Sequence, residues 1–140
     1  MYKPQKIIFF EVKNTKEKIK KLIDLSHFHF EQNQPLLIFT ENPFASNFVD
    51  ELLWKEPKNS FLPHIVTQKK TNCLITITYT LQNLNNSHYL FNLSSNYFSL
   101  EWPLHLLYEY DDLITNKKKE STKKKFQFYK KTNCFMEAKN

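Results

Sequence analysis

Lysine and phenylalanine interleave near the end of the chain in a pattern that can do chemistry. Residues 113–131, LITNKKKESTKKKFQFYKK, hold eight Lys and one Glu, a local net charge of +7. The whole chain is +6, so everything outside this segment sums to −1 and the basicity is one patch. On a helix, Lys119, Lys123, Phe126 and Lys130 follow at steps of 4, 3 and 4, a single stripe on which ammonium groups flank an aromatic ring. Three roles fit such a stripe. It can be a solvated lysine face. It can track the phosphates of a nucleic acid. Or it can take an acidic peptide with an apolar anchor, lysines meeting the carboxylates while the ring offers an apolar contact.

A second grouping is Leu53-Trp54 followed by KEPKNSFLPH, which crowds Trp54, Phe61, Leu62 and Pro63 around a turn-rich loop. These side chains either cover the edge of the core or stand out as an aromatic anchor for a partner protein, since Trp and its aromatic neighbours dominate interface hot spots.

Little else reads as a reactive site. The chain of 140 residues has no Gly, where about 7% is ordinary. That excludes GxGxxG, GxxxxGK[ST] and GxSxG motifs, and with them glycine-loop nucleotide binding and the nucleophile elbow. All 20 basic residues are Lys, so the guanidinium fork that reads guanine is missing. His27 and His29 are two apart and share no helical face, and HEXXH is absent. All five His read as surface or half-buried structural residues. Asp111-Asp112 reads as a helix N-cap rather than a catalytic carboxylate pair. Cys73 and Cys134 are 61 residues apart and read as buried free thiols of a reducing compartment. No enzymatic motif, metal cluster or cofactor motif stands out. No apolar run approaches the ~20 residues of a membrane span, and the opening MYKPQKIIFFEVKN lacks the features of a signal peptide. The expectation is a cytoplasmic protein without a cofactor; an enzyme is not supported by any motif, which is weaker than being excluded.

The elements that must position these residues follow from periodicity. KIIFFEV (6–12) and PLLIFT (35–40) are short apolar runs of buried-strand type. Between them, Asn14 with Glu17 three residues on predicts a capped helix whose face is Ile19, Leu22, Ile23, Ser26 and Phe30, ended by Pro35. Asn42-Pro43 predicts the start of a second helix with Ala45, Phe48, Val49 and Leu52 on its inner face, ended at Glu56-Pro57. CLITITYT (73–80) and HYLFNL (88–93) predict strands, as a hairpin or as a pair joined by a crossing loop around a polar turn at 83–87. LHLLYEY (104–110) predicts a last core strand, and Asp111-Asp112 a cap for a lysine-rich helix over 112–131. The fold class is therefore α/β, one domain over residues 1–140, with a mixed, mostly parallel sheet flanked by helices.

At these residues the chain resembles a family, the chi subunit of bacterial DNA polymerase III. The carrying match is residues 35–64: the strand PLLIFT, a helix ending Asp50-Glu51-Leu52-Leu53-Trp54, then Ser60-Phe61-Leu62-Pro63-His64, like the family's D-x-x-LW ending followed by SF[LV]PH. KKKFQFYKK resembles the family's basic-aromatic helix. The resemblance implies a Rossmann-like fold without a nucleotide site. It implies a non-catalytic linker that binds the acidic C-terminal tail of single-stranded DNA-binding protein (SSB), and through another surface the psi subunit of the clamp loader or a repair helicase. The tail carries acidic residues and an apolar Phe with a free carboxylate. Carried over by motif, Trp54 and Phe61, with Pro63 beside them, stand at the psi or helicase surface. Aligning Tyr129 with the family's second tyrosine puts Lys119, Lys123, Phe126, Gln127 and Lys130 at the tail site, with Phe126 where the family has Tyr and Gln127 where a basic residue is usual. DNA is then met indirectly, through SSB, by a protein that is monomeric in isolation. The alternative is direct binding of single-stranded nucleic acid by the lysine-aromatic helix.

Overall fold

The computed structural model describes residues 2–58 and 60–140. Seven strands and three helices alternate along it: β1 (Lys6–Val12), α1 (Thr15–Glu31), β2 (Leu36–Phe39), α2 (Pro43–Lys55), β3 (Ile65–Val66), β4 (Ile75–Thr78), β5 (Tyr89–Asn92), β6 (Leu106–Asp112), α3 (Asn116–Lys131) and β7 (Phe135–Lys139). The strands form one sheet in the order β3-β4-β2-β5-β6-β1-β7. Every pairing between them is parallel, where a mixed sheet was expected. The one antiparallel contact is an isolated bridge between Tyr2 and Leu100. The fold is thus α/β.

Chirality decides which face each connection takes. The chain moves one way along the sheet from β1 through β2 to β3 and the other way from β4 to β7. Right-handed crossovers then put α1 and α2 on one face and α3 on the other. Side chains of successive strand residues alternate accordingly. Ile8, Phe10 and Val12 join Leu22, Ile23, Val49 and Leu53 beneath α1 and α2. Ile7 and Phe9 join Leu37, Leu107 and Tyr129 beneath α3. Loops complete that second layer, sending in Leu84, Leu100 and Leu104.

Local signals set the helix starts. Asn14 accepts from the Glu17 amide at 2.9 Å while the Glu17 carboxylate accepts from the Lys13 amide at 3.0 Å. Asn42 accepts from the Ala45 amide at 2.8 Å, with Pro43 opening α2. The chain has no Gly, and the described residues with positive φ are all Asn: Asn33 at 55°, Asn86 at 53° and Asn133 at 58°. Asn33 and Asn133 follow α1 and α3, where the left-handed conformation that ends a helix falls to Asn.

Several expectations are corrected. The inner face of α2 is Ser46, Val49 and Leu53, while Phe48 is exposed, because the helix is rotated to seat Leu53 against β3 and β4. β4 and β5 neither form a hairpin nor pair, since β2 lies between them. Asp111 and Asp112 belong to β6, and Thr115 caps α3, its side chain accepting from the Lys118 amide at 3.2 Å; the lysine helix begins at Asn116 rather than 112. β3 and β7 were not anticipated. His29 and His64 are buried rather than superficial. The His29 ring accepts from the Tyr108 hydroxyl at 2.8 Å and donates to the Gln34 carbonyl at 3.3 Å. Burial holds its pKa down to about 4. Cys73 and Cys134 are free but only half-buried.

Candidate functional site

The inner face of α3 is set by Thr122, Lys125 and Tyr129, at steps of 3 and 4. Lys125 is the decisive residue. It turns away from solvent and its Nζ meets the fully buried Glu109 of β6 at 2.9 Å and donates to the Ser94 carbonyl at 2.5 Å. The Tyr129 hydroxyl donates to the same carboxylate at 2.6 Å, and the Asn92 amide at 2.8 Å. Burial pushes the Glu109 carboxyl above its usual range, and the ammonium, hydroxyl and amide pull it back down. At the other end of α3, the Thr122 hydroxyl accepts from the Asp112 amide of β6 at 3.2 Å, while the Asp112 carboxylate accepts from Lys18 of α1 at 2.6 Å. These contacts fix the rotation of α3 about its axis.

That rotation brings Lys119, Lys123 and Phe126 together. With Thr122 they line a recess of about 430 Å³, completed by Phe9 of β1, Asp111 of β6, and Met136, Glu137 and Ala138 of β7. The Phe126 ring stands 6.1 Å from that of Phe9 and is 44% exposed. Lys119 and Lys123 are exposed and form no ion pair among the described residues. The recess therefore has an apolar floor and an ammonium rim. It also has acids: Glu137 is held ionised by Lys6 at 2.7 Å, and burial beside Glu11 and Asp112 raises the pKa of Asp111. Gln127 and Lys130 are exposed but do not line the recess. Lys130 continues the stripe one turn beyond Phe126, and Gln127 faces outward.

On the opposite face of the sheet, the end of α2 and the loop before β3 make an aromatic corner. Trp54 is 49% and Phe61 68% exposed, with ring centroids 5.6 Å apart. Leu53 and Leu62, each next to one of them in sequence, are buried at 1%. The alternation pins the backbone and turns the neighbouring rings outward. Pro63 is half-buried beside them, and Asn59 of the loop lies outside the described residues. Beneath Trp54 lies His64, ring centroids 4.3 Å apart. Its Nδ1 contacts the Leu62 carbonyl at 2.6 Å, and its Nε2 the Asp50 carboxylate at 3.0 Å and carbonyl at 3.2 Å.

Sequence reasoning missed the Glu109–Lys125 pair and the whole of β7, which supplies one wall of the recess. The 122–125–129 spacing was the available signal for an inner face. A lysine at its centre reads as solvated, because buried lysines are rare unless paired. Among the described residues, no group of three or more His, Cys, Asp and Glu side chains is placed to hold a metal ion, and no helix is long and apolar enough to cross a membrane.

Compared with known families, residues 5–137 match the family described as DNA polymerase III chi subunit, HolC. No curated protein matches the chain.

Proposed function

We infer the function from a premise that this match supplies: the chain belongs to the DNA polymerase III chi subunit family. It acts as a non-catalytic accessory subunit in DNA replication, joining the clamp loader to SSB-coated single strands in the cytoplasm. The observation that carries the reading is the meeting of Lys119, Lys123 and Phe126 over one apolar-floored recess. A peptide ending in an apolar side chain can lay that side chain between Phe126, Phe9 and Met136 while its carboxylates face the two ammonium groups. Charge-assisted contacts of this kind contribute roughly 1.5–3 kcal/mol when shielded and less when exposed. Asp111 and Glu137 on the far wall repel a second carboxylate there, which gives the peptide one direction.

The aromatic corner serves the second partner, the psi subunit or a repair helicase, through Trp54, Phe61 and Pro63. Both rings are accessible before any partner arrives, as an anchor must be. The two surfaces lie on opposite faces of the sheet, so both partners can be held at once. The chain acts as a monomer that bridges them, with no cofactor.

The test is a titration of the protein with a labelled acidic peptide ending in Phe with a free carboxylate, against the same peptide amidated and against oligo-dT. Tight binding of the free-acid peptide, weaker binding of the amidated one and little binding of oligo-dT at the recess support the reading. Binding of oligo-dT that Lys123→Ala and Phe126→Ala abolish, with no affinity for the peptide, favours direct nucleic-acid binding by that stripe instead.

A further inference from the structure

The rotation that turns Lys119, Lys123 and Phe126 toward β7 leaves a different stripe on the other flank of α3. Lys124, Phe128 and Lys131 follow at steps of 4 and 3. Phe126 and Phe128 are about 200° apart around the helix axis, so the two stripes are on opposite sides. On this flank Phe128 is stacked on Tyr97, ring centroids 4.3 Å apart and planes 15° from parallel. Tyr97 remains 46% exposed even with Phe128 stacked against it.

Cations surround this pair. Lys124 and Lys131 are exposed, and Lys3 reaches the end of the helix, its Nζ donating to the Thr132 carbonyl at 3.3 Å. None of the three forms an ion pair among the described residues. Next to Phe128 opens a recess of about 370 Å³ whose apolar lining comes from Pro4, Phe98, Leu100 and Leu107, with Tyr2, Lys3, Ser99 and Thr132 bringing polar groups to it. Tyr2 at its mouth is 51% exposed. A flat aromatic surface, a slot beside it and unpaired ammonium groups around both are complementary to one chemistry: stacked bases joined by phosphates.

We propose that this second flank of α3 binds single-stranded nucleic acid, a base lying on Tyr97 and the flanking phosphates on Lys124, Lys131 and Lys3. Only a single strand offers a free base face to such a platform. The absence of Arg fits contact without sequence reading, since lysine tracks phosphate as a point charge. The site is separate from the tail recess, so a chain holding an SSB tail on one flank of α3 can touch the strand beside it with the other.

Fluorescence anisotropy of a labelled oligo-dT tests this, with the acidic Phe-ended peptide titrated in parallel on the same protein. Wild type should bind the oligonucleotide at low salt. Lys124→Ala with Lys131→Ala should weaken it at least about tenfold and lower the log–log salt slope by roughly 1.4, about 0.7 for each single-strand phosphate left without its ammonium. Tyr97→Ala should weaken it at least about fivefold with the salt slope unchanged, and Tyr97→Phe should restore it. Phe126→Ala should leave oligonucleotide binding within twofold of wild type, whatever it does to the peptide. The proposal is overturned if wild type does not bind oligo-dT at low salt, if Tyr97→Ala and Tyr97→Phe both bind like wild type, or if Lys123→Ala costs as much as Lys124→Ala. The peptide titration reports on the tail recess independently, so either site can fail without the other.

Discussion

Replacing Lys125 with Met should unfold much of what α3 contributes. Methionine fits the volume but brings no charge, so Glu109, which has no exposed surface, keeps only the neutral Tyr129 hydroxyl and Asn92 amide as donors. Breaking a buried pair from one side costs about 3–5 kcal/mol, because an uncompensated charge is left behind. The Ser94 carbonyl is also left without its donor, a further ~1 kcal/mol. Against the ~5–15 kcal/mol that holds a typical domain together this is a large share. In urea, at ~2 kcal/mol per molar, the midpoint should fall by roughly 2 M. The destabilisation should depend on pH with a definite sign. Burial already raises the Glu109 pKa, and removing the ammonium raises it further. A carboxyl whose folded pKa lies above its unfolded one weakens the fold as pH rises from the unfolded value through the folded one. Lys125→Met should therefore be closer to wild type near pH 5 than at pH 7.5. Adding Glu109→Gln, which keeps an acceptor for Tyr129, should recover at least half of the stability at pH 7.5. Urea melts of wild type and both variants at the two pH values decide it. A single-variant destabilisation below ~1 kcal/mol, or a double variant no better than the single, refutes the reasoning.

Three further outcomes are expected. Lys123→Ala should weaken the acidic tail peptide about tenfold, near 1.4 kcal/mol, and Phe126→Ala by a similar factor without changing the salt dependence, both read by peptide titration. Trp54→Ala should abolish capture of the psi subunit or helicase in a pull-down while costing only about 1 kcal/mol of stability, since half of the ring is already in solvent; a cost in the ~3–5 kcal/mol range of a buried aromatic would instead make it a core residue. His29, with its folded pKa of about 4 against an unfolded ~6.5, should cost the fold up to roughly 3 kcal/mol as pH falls from 7 to 4, because only the unfolded chain takes the proton in that window; His29→Gln should flatten that part of the stability profile in urea melts.

What could be read from the sequence was whatever is encoded locally. Asn14 with Glu17 and Asn42 with Pro43 declared the starts of α1 and α2, because a cap is a contact between residues three apart. The apolar runs at 6–12 and 35–40 declared strands buried on both faces. The Trp54–Phe61 corner and the 119–123–126 stripe were visible because residue type and helical spacing were enough to pick them out. What could not be read depends on partners distant in sequence. β3 has two residues and β7 lies on the edge of the sheet, so neither carries the apolar run of a central strand. Asp112 resembles a cap until Lys18, 94 residues away, accounts for its charge. Lys125 looked solvated because its partner, Glu109, lies on the strand before the helix, and nothing in a lysine cluster says which ammonium turns inward.

The parallel order of the sheet sets a timetable for a chain leaving the ribosome. β1 is made early, yet its neighbours are β6 and β7: Lys6 pairs with Leu106 and with Phe135. At ~5–20 residues per second the first of these, 100 residues on, emerges some 5–20 s later. Until then IIFFEV has both backbone edges unpaired and its apolar side chains uncovered, which makes it the segment most exposed to aggregation and the natural place for a chaperone to hold. α1, α2 and β2 through β4 can assemble in that interval, because β2 pairs β4 and both lie in the first 78 residues. The aromatic corner can therefore form while the chain is still being made. The recess beside α3 cannot, since its walls come from β1, β6, α3 and β7 together. The two surface features should mature in that order, the aromatic corner first and the recess beside α3 last.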